Sequence, residues 1–290
     1  MAFHSWHKNN ENSRKKSFRH SKFYFTTLLQ SIVEKFPDRS FVLAKNAQFY
    51  IQKRPLRFKS ENSQILIANG METWTTHRSR THLYAFGFEH RGSSIGKSYL
   101  LENIDFKEGD VVIDCGANMG DLHLWFKSRN LRVQYIGIEP NPIDFACLSR
   151  NVPGNPRPLN LALWNLSGEL KFWVDSNSAS SSLIEPPNYS EIISVKSVRL
   201  DELELPQKIK LLKVEGEGAE PEILLGATNI LKRIEWISVD VGPERGIEQA
   251  STRDDVVTFL TSNSFEIAIE NPFHRKTILF RNTWDGISNE

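Results

Sequence analysis

The stretch VVIDCGANMGD, residues 111–121, decides the fold class of this protein of 290 residues. It begins as a continuous apolar run, VVIDC, and ends in two glycines, an asparagine and an acid. An apolar run of this length is typical of a strand that is buried on both faces of a parallel sheet. Ligands bind beyond the carboxyl ends of such strands. The stretch therefore predicts a ligand site in its glycine turn.

The chain after Asp105 alternates predicted strands with predicted helices. This alternation implies right-handed crossovers and a mostly parallel sheet that is covered on both faces. A final strand pair, joined by a turn at Asn271–Pro272, would add one antiparallel strand. We therefore predict an α/β fold with a Rossmann-like, seven-stranded sheet. The strands are expected at 111–115, 133–139, 158–164, 209–215, 236–241, 265–270 and 277–281, and the helices at 119–130, 142–151, 221–232 and 252–263.

Residues before Asp105 show a different pattern. We predict a flexible basic arm over 1–22, then a helix and β-hairpin extension over 23–104, and the sheet domain over 105–284. The insertion 165–200 interrupts the alternation between the third and fourth strands, and its Ser-rich stretch, 176–183, is expected to be a solvated loop on a path back over the sheet. Within the extension, a helix is expected at 23–35 and short strands at 41–44, 49–52, 65–68 and 83–88.

Composition excludes several classes of protein. A net charge of +1 argues against a dedicated nucleic-acid binder. The only cysteines are Cys115 and Cys147, too few for a disulfide framework or a CxxC metal site, and they suit a reducing compartment. No apolar run approaches the roughly 18 residues of a membrane span, and the N-terminus lacks the apolar centre of a signal peptide. We expect a cytoplasmic protein, and the sequence does not indicate its oligomeric state.

The glycine turn does not match a dinucleotide-binding loop. Such a loop has glycines at its first, third and sixth positions, which here are Gly116, Asn118 and Asp121. Asp121 would place a carboxylate where a pyrophosphate otherwise lies at a helix N-terminus. A cofactor without phosphates, S-adenosylmethionine, fits this loop better. The close turn at Gly116 and Gly120 would admit its methionine part, and Asp114 would attract its ammonium group.

Glu139 ends the second predicted strand and provides a second acid at the same edge of the sheet. A carboxylate in this position can accept hydrogen bonds from both ribose hydroxyls of an adenosine cofactor. NAD would use such an acid equally well, so Glu139 does not distinguish the two cofactors.

Several motifs, in this order, resemble those of the FkbM family of S-adenosylmethionine-dependent methyltransferases. The resemblance covers about residues 80–282. It implies a Rossmann-like methyltransferase sheet and O-methylation of a hydroxyl on a sugar, glycan, glycolipid or secondary metabolite. The motifs are DCGANMG at 114–120, EPNP at 139–142, LSRN at 148–151, NLAL at 160–163, KVEGEGAE at 213–220 and LGA at 225–227. The implied cofactor contacts are Asp114, Gly116, Ala117, Asn118, Gly120, Glu139, Asn160 and Ala162.

The fourth predicted strand ends in the densest group of ionisable residues. Methyl transfer to a hydroxyl needs the acceptor oxygen about 3 Å from the methyl carbon and a group that removes its proton. Glu217 is the first candidate for this base, with Lys213 and Glu215 beside it, although Glu217 and Glu220 would equally favour the start of the next helix. Glu215 stands where the family has an aspartate, which displaces its carboxylate by one methylene.

Other readings remain open at this stage. Glu215 and Asp240 could converge on a divalent cation, although no metal site is expected. His77, His82, His90 and His274 lie in loops near the predicted site, and His274 could act as a base. The other function classes are an NAD-type oxidoreductase and a binding module that keeps the fold without turnover. The expected partner is a small-molecule or glycan acceptor.

Overall fold

The computed structural model describes residues 36–154, 158–175, 180–271 and 276–284. Contacts divide the chain into two compact units, Met1–Glu72 and Thr73–Glu290. The predicted arm at 1–22 and helix at 23–35 lie outside the described residues, as does most of the turn after Asn271. Residues 73–104, which we expected in the extension, belong to the second unit.

The first unit contains a helix and a β-hairpin. Helix α1 (Asp38–Ile51) is followed by strands β1 (Arg57–Glu61) and β2 (Gln64–Asn69), which pair in antiparallel register. The two turn residues have positive φ angles, 49° at Asn62 and 63° at Ser63, as a two-residue hairpin turn requires. The strand predicted at 65–68 is thereby confirmed.

The strands predicted at 41–44 and 49–52 are wrong, because both segments lie in α1. Phe41, Lys45 and Phe49 are buried, whereas Leu43 is 70% and Ile51 is 79% exposed. Burial at every fourth residue is the period of a helix face, not of a strand. The short apolar runs at 41–44 and 49–52 suggested strands, although the helical period extends over the whole segment.

The second unit is built around the predicted sheet. Along the chain, the sheet is preceded by strand β3 (Glu72–Thr76) and a 3₁₀ segment, Arg78–Tyr84. Its helices are α2 (Phe88–Ser98), α3 (Asp121–Lys127), α4 (Pro142–Asn151), α5 (Glu220–Leu225) and α6 (Arg253–Ser262). Its remaining strands are β4 (Val111–Cys115), β5 (Gln134–Ile138), β6 (Ala162–Leu163), β7 (Gly168–Val174), β8 (Glu191–Val198), β9 (Ile209–Val214), β10 (Ile234–Asp240), β11 (Pro243–Arg245), β12 (Ala250–Ser251), β13 (Phe265–Glu270) and β14 (Thr277–Asn282).

The central sheet has the strand order β13-β14-β10-β9-β4-β5. Strands β5, β4, β9 and β10 run parallel, while β14 is antiparallel to both of its neighbours. The prediction of a mostly parallel sheet with one antiparallel closing strand is confirmed. The order reverses direction at β4, where parallel sheets open a crevice for a ligand.

The third predicted strand, 158–164, pairs with the central sheet through one residue and not along its length. Only Leu159 bridges to Ile138, and β6 instead pairs with β8 in a separate three-stranded sheet. The central sheet therefore has six strands and a single bridge in the seventh position. The insertion 165–200 contains strands β7 and β8, which form an antiparallel pair, and residues 176–179 of its Ser-rich stretch lie outside the described residues.

Both faces of the central sheet are covered by apolar side chains. Along β4, Val112 packs into one buried cluster and Ile113 into the other, and Leu211 and Leu212 divide in the same way on β9. Alternation between two buried faces explains why these strands are apolar throughout. The carboxyl ends of the central strands are thus the part of the sheet open to a ligand.

Helix α2 packs closely on α3 through two glycines. A Cβ atom on Gly92 would lie 2.7 Å from the backbone carbon of Leu124, and one on Gly96 would lie 1.8 Å from the Trp125 ring. This contact explains why residues 73–104 belong to the second unit. The strand predicted at 83–88 is wrong, since Phe86 is 68% exposed where a strand would bury it together with Tyr84 and Phe88.

Candidate active site

A cleft opens at the carboxyl ends of β4, β5 and β9. Nine of the eleven predicted site residues line it, which confirms that the strand ends converge as the sheet topology requires. Gly120 and Asn160 do not line it. The nine are Asp114, Gly116, Ala117, Asn118, Glu139, Ala162, Lys213, Glu215 and Glu217.

Glu139 lies at the edge of the cleft with both carboxylate oxygens oriented by the backbone. Its Oε2 accepts the Asn118 N–H and its Oε1 the Asn141 N–H, each at 2.8 Å. Burial raises the pKa of Glu139 to about 8, with the negative charge of Asp144 as the next cause. The two N–H donors oppose this rise. The carboxyl group is therefore fixed in place and poised to titrate near neutral pH.

Lys213 joins the first loop to the end of β9. Its ammonium group lies 3.0 Å from Asp114 Oδ1 and 3.1 Å from Glu215 Oε2, and it donates to the carbonyls of Cys115 and Gly116 at 3.0 and 2.9 Å. Although burial lowers the pKa of Lys213, the carboxylates of Asp114 and Glu215 raise it more. A protonated, fully engaged ammonium holds the loop and is poorly suited to accept a proton.

Asp114 is 1% exposed and also accepts a hydrogen bond from the Tyr135 hydroxyl. Burial raises its pKa, while Lys213 opposes the rise. Its oxygens thus already face two protein groups. Contact between Asp114 and a cofactor ammonium, which the sequence suggested, stays a prediction.

The two glycines of the loop have different surroundings. A Cβ atom on Gly116 would lie 2.2 Å from the carbonyl oxygen of Glu215, so only glycine lets the loop meet the end of β9. Gly120 instead faces α4, where a Cβ atom would lie 2.9 Å from Val152 and 3.0 Å from Leu148. Gly120 thus allows close packing on α4, and its contact with a ligand stays a prediction.

Asn160 is exposed and stands outside the cleft, against expectation. Its amide donates to the carbonyls of Glu139 and Pro140 at 2.9 and 3.1 Å, so it braces the turn after β5. Ala162 is buried and lines the cleft as predicted. The backbone leaves the edge of the sheet between these two residues, which separates them.

The loop after β9 carries the catalytic candidates. Glu217 lines the cleft in the left-handed region, with a φ of 50°, and its carbonyl accepts a hydrogen bond from Ser182 at 2.9 Å. Glu220 is buried and accepts the N–H groups of Gly216 and Gly218 at 2.8 and 3.1 Å, so it shapes this loop. Glu222 forms a bidentate pair with Arg245 at 2.9 and 2.7 Å. Of these three acids, only Glu217 lines the cleft.

The carboxylate of Asp121, which lines the cleft, is paired with protein groups and is not an isolated charge. Its carboxylate accepts the Tyr84 hydroxyl at 2.6 Å and pairs with Arg91 at 2.6 Å. The expected repulsion between Asp121 and a pyrophosphate is therefore weaker than the sequence suggested, because the positive charge of Arg91 balances the negative charge of Asp121.

Sequence reasoning missed the wall that α2 contributes. Arg91, Ile95 and Tyr99 all line the cleft, and Tyr99 donates a hydrogen bond to Glu215. Their spacing of four residues was a usable signal, since it places them on one helix face. The misassigned strand at 83–88 obscured the start of this helix.

The insertion also reaches the cleft. Phe172 on β7 lines the cleft together with Ser181 and Leu183. Phe172 is 3% exposed and packs with Ala162 and Val195, so its first role is in the core.

None of the described histidines lines the cleft. His77 pairs with Asp144, which lines the cleft, at 2.7 Å. His82 and His90 are exposed, and His274 lies outside the described residues. Within the described ranges, no three His, Cys, Asp or Glu side chains are grouped to hold a metal ion. Asp240 is buried, and its Oδ1 accepts the Gly242 N–H at 3.1 Å.

The fold and the cleft define an α/β protein with a cofactor site at its strand ends. Residues 114–267 match the model of the methyltransferase FkbM domain, which is more than half of the chain. This protein belongs to the FkbM methyltransferase family. The prediction of that family is confirmed, and S-adenosylmethionine is the cofactor expected of it.

Two curated relatives agree with this assignment. The hexuronic acid methyltransferase AglP of Haloferax volcanii is 32% identical over 149 residues, covering 49% of this chain and 59% of AglP. Methyltransferase 1 of Beauveria bassiana is 24% identical over 216 residues, covering 64% of this chain and 83% of that protein. The chain thus aligns with little more than half of AglP.

Solved structures give only distant likenesses. The methyltransferase FkbM of Methylobacillus flagellatus KT is similar at a TM-score of 0.43 and 15% identity, over 61% of this chain and 44% of that chain. The magnesium protoporphyrin IX methyltransferase of Synechocystis is similar at a TM-score of 0.40 and 11% identity, over 69% of this chain and 81% of that chain.

Among the described residues, no helix is long and apolar enough to span a membrane.

Proposed function

We propose that this protein is an S-adenosylmethionine-dependent O-methyltransferase whose acceptor is a hydroxyl of a sugar or glycan. The observation that carries the proposal is the place of Glu139 at the cleft edge, with both oxygens aligned by backbone N–H groups. Ribose hydroxyls need acceptors held in this manner. The earlier alternative, an NAD-type oxidoreductase, loses support because the chain belongs to a methyltransferase family.

The residues of the cleft divide into those that hold the cofactor and those that serve the acceptor. Glu139 would hold the ribose, and the loop from Gly116 to Asn118 would approach the methionine part, while Lys213 fixes that loop. Ala162 forms part of the buried wall on which an adenine would lie. Bound S-adenosylmethionine supplies an electrophilic methyl group.

Glu217 is the proposed base or orienting acid for the acceptor hydroxyl. It lines the cleft, and the hydroxyl of Ser182 fixes its backbone by donating to its carbonyl. Its left-handed backbone is a strained conformation of the kind that persists at functional sites. The carboxylate of Glu215 is held by Tyr99 and Lys213, which suits a positioning role.

A sugar acceptor is supported by the relative that is named for a hexuronic acid. A hexuronate also offers a carboxylate oxygen, which is a second candidate acceptor. That oxygen is already ionised and needs no base. The substitution of Glu217 therefore separates the two acceptors.

We expect Glu217→Gln to lower the rate of methyl transfer by about 10²-fold or more, the usual contribution of a general base. Binding of S-adenosylhomocysteine should stay unchanged, because Glu139 and the first loop are untouched. The measurement is transfer of labelled methyl to a glycan acceptor, with calorimetry for binding. Glu215→Gln is the comparison and should cost less activity. A larger loss in Glu215→Gln would move the role to Glu215, and parental turnover in Glu217→Gln would favour the carboxylate acceptor.

Calorimetric titration tests the cofactor proposal and the ionisation of Glu139 together. We expect S-adenosylhomocysteine to bind and NAD not to bind. The pKa of Glu139 is raised to about 8, so the free protein carries this proton at pH 7. Hydroxyl donors favour the ionised form, so binding should release a proton below about pH 8. Affinity should therefore rise up to that pH and then level off.

Glu139→Gln is the control for this titration, since it cannot release a proton. Its proton release, measured in two buffers of different ionisation enthalpy, should be smaller by up to one proton per site. Tight binding of NAD without binding of the thioether would refute the cofactor proposal. Equal proton release in both proteins would refute the role of Glu139.

A further inference from the structure

The first unit of the protein is basic and the second is acidic. Residues Met1–Glu72 contain 13 lysines and arginines against five acids, whereas Thr73–Glu290 contain 23 against 30. The net charge of +1 for the whole chain is therefore the sum of two opposite excesses. A basic unit of this kind attracts anionic partners even when the whole protein is close to neutral.

Part of this positive charge lies around a groove at the C-terminal end of α1. Lys53 and Arg57 are exposed there, and neither has an acidic partner among the described residues. No described residue that lines the groove is acidic. We refer to this space as the basic groove; it is lined by Tyr50, Ile51, Lys53, Arg54, Pro55 and Arg57.

The neighbours of Arg57 orient its guanidinium without neutralising it. Its Nη1 donates to the carbonyls of Arg54 and Leu56 at 3.2 and 2.9 Å. Carbonyl groups carry no net charge, and an arginine stays protonated at any pH at which the protein is folded. The basic groove therefore offers a fixed positive charge to an anionic group.

Large apolar side chains protrude beside these cations. Tyr50 is 74% and Ile51 is 79% exposed, and Leu43, which is 70% exposed, precedes Tyr50 by about two helical turns. Leu43 and Tyr50 therefore project from one face of α1, while Phe41 and Phe49 are buried on the other. Single exposed apolar residues are ordinary, but an apolar face next to a basic groove indicates an interaction surface.

Cations beside protruding apolar side chains match the surface of an anionic membrane. Anionic headgroups attract lysine and arginine, the hydrocarbon below them receives aliphatic side chains, and tyrosine favours the boundary between the two. Nucleic acid would supply phosphates for Lys53 and Arg57 but no hydrocarbon for Ile51 and Leu43. Both features of the surface thus favour lipid over nucleic acid.

We propose that the basic groove and the exposed face of α1 bind the surface of a membrane that contains anionic phospholipid. The contact is peripheral and needs no helix that spans the membrane. This inference goes beyond the methyl-transfer site and does not depend on it, because every residue that carries it belongs to the first unit.

Flotation of the full chain with lipid vesicles tests this proposal. Vesicles of equal parts phosphatidylcholine and phosphatidylglycerol should bind the protein, and vesicles of phosphatidylcholine alone should not. Binding should weaken as salt is added, because salt screens the headgroup charge. Fluorescence anisotropy with a single-stranded RNA and analytical ultracentrifugation measure the two other possible partners, nucleic acid and a second copy of the chain.

Two lysines of the first unit form a matched pair for the electrostatic part of the contact. Lys53→Gln and Lys59→Gln each remove one exposed cation, but Lys59 pairs with Glu61 at 2.6 Å and does not line the groove. We expect Lys53→Gln to lower the vesicle partition coefficient about fivefold and Lys59→Gln to lower it less than about twofold.

Ile51→Ser and Met71→Ser form the matched pair for the apolar part. Met71 is fully exposed in the same unit and lies outside the groove. Loss of an aliphatic side chain from lipid should lower the partition coefficient about tenfold in Ile51→Ser and leave it near the parental value in Met71→Ser. Circular dichroism checks that all four variants are folded.

The proposal is overturned if the parent protein does not bind the anionic vesicles. Equal losses within either matched pair would also overturn it, because the contact would then lie outside the basic groove. The same holds if substitutions in the groove weaken binding to RNA or self-association and leave binding to vesicles unchanged.

Discussion

Glu139→Ala should abolish measurable binding of S-adenosylhomocysteine. Hydrogen bonds to a charged group contribute about 1.5–3 kcal/mol each, so the loss of two ribose contacts should weaken binding by about 10²- to 10⁴-fold. The substitution also removes the acceptor for the N–H groups of Asn118 and Asn141, which position the loop. Calorimetry measures the affinity, and circular dichroism checks that the fold persists.

Asn160→Ala is the matched control for this experiment. Asn160 contacts the carbonyl of Glu139 at 2.9 Å but is exposed and stands outside the cleft. Its substitution should weaken binding by less than about tenfold, since it braces the turn without touching the ligand. If Glu139→Ala binds the thioether as tightly as the parent protein, the ribose assignment is wrong, and the proposed cofactor geometry is wrong with it.

Lys213→Met should produce the largest loss of stability among the site substitutions. Lys213 is 2% exposed, and its ammonium lies within 3.1 Å of two carboxylates, on Asp114 and Glu215. Removing one partner of a buried ion pair leaves an uncompensated charge and costs about 3–5 kcal/mol. Urea unfolding, followed by circular dichroism, measures the change in the free energy of unfolding.

Two further variants show whether that loss comes from the buried charge. In Asp114→Asn/Lys213→Met the unpaired carboxylate of Asp114 is gone, so we expect much of the lost stability to return. Lys210→Met removes a cation of the same strand that pairs with the half-exposed Glu235 at 2.8 Å, and should cost less than about 1 kcal/mol. Equal costs for Lys213→Met and Lys210→Met would contradict the account of Lys213 as a buried clamp.

Local patterns in the sequence were sufficient for the central sheet and for most of the cofactor side of the cleft. Strands β4, β5, β9 and β10 are apolar because both of their faces are buried, and that pattern can be read without knowing any neighbour. The acids at their ends converge because parallel strands end at one edge. Gly116 and Glu139 line the cleft for this reason, and their roles stay predictions.

Tertiary structure decided how the remaining side chains are used. Lys213 has two carboxylate partners and Gly120 faces α4, and neither contact leaves a mark in the local pattern. The same holds for the wall of the cleft formed by α2. Periodicity reports which face of an element is buried, whereas the partner across the interface depends on how distant segments pack. The sequence by itself thus determined the sheet and the edge at which the cleft opens, and packing between distant segments decided the walls of the cleft and the contacts of Lys213.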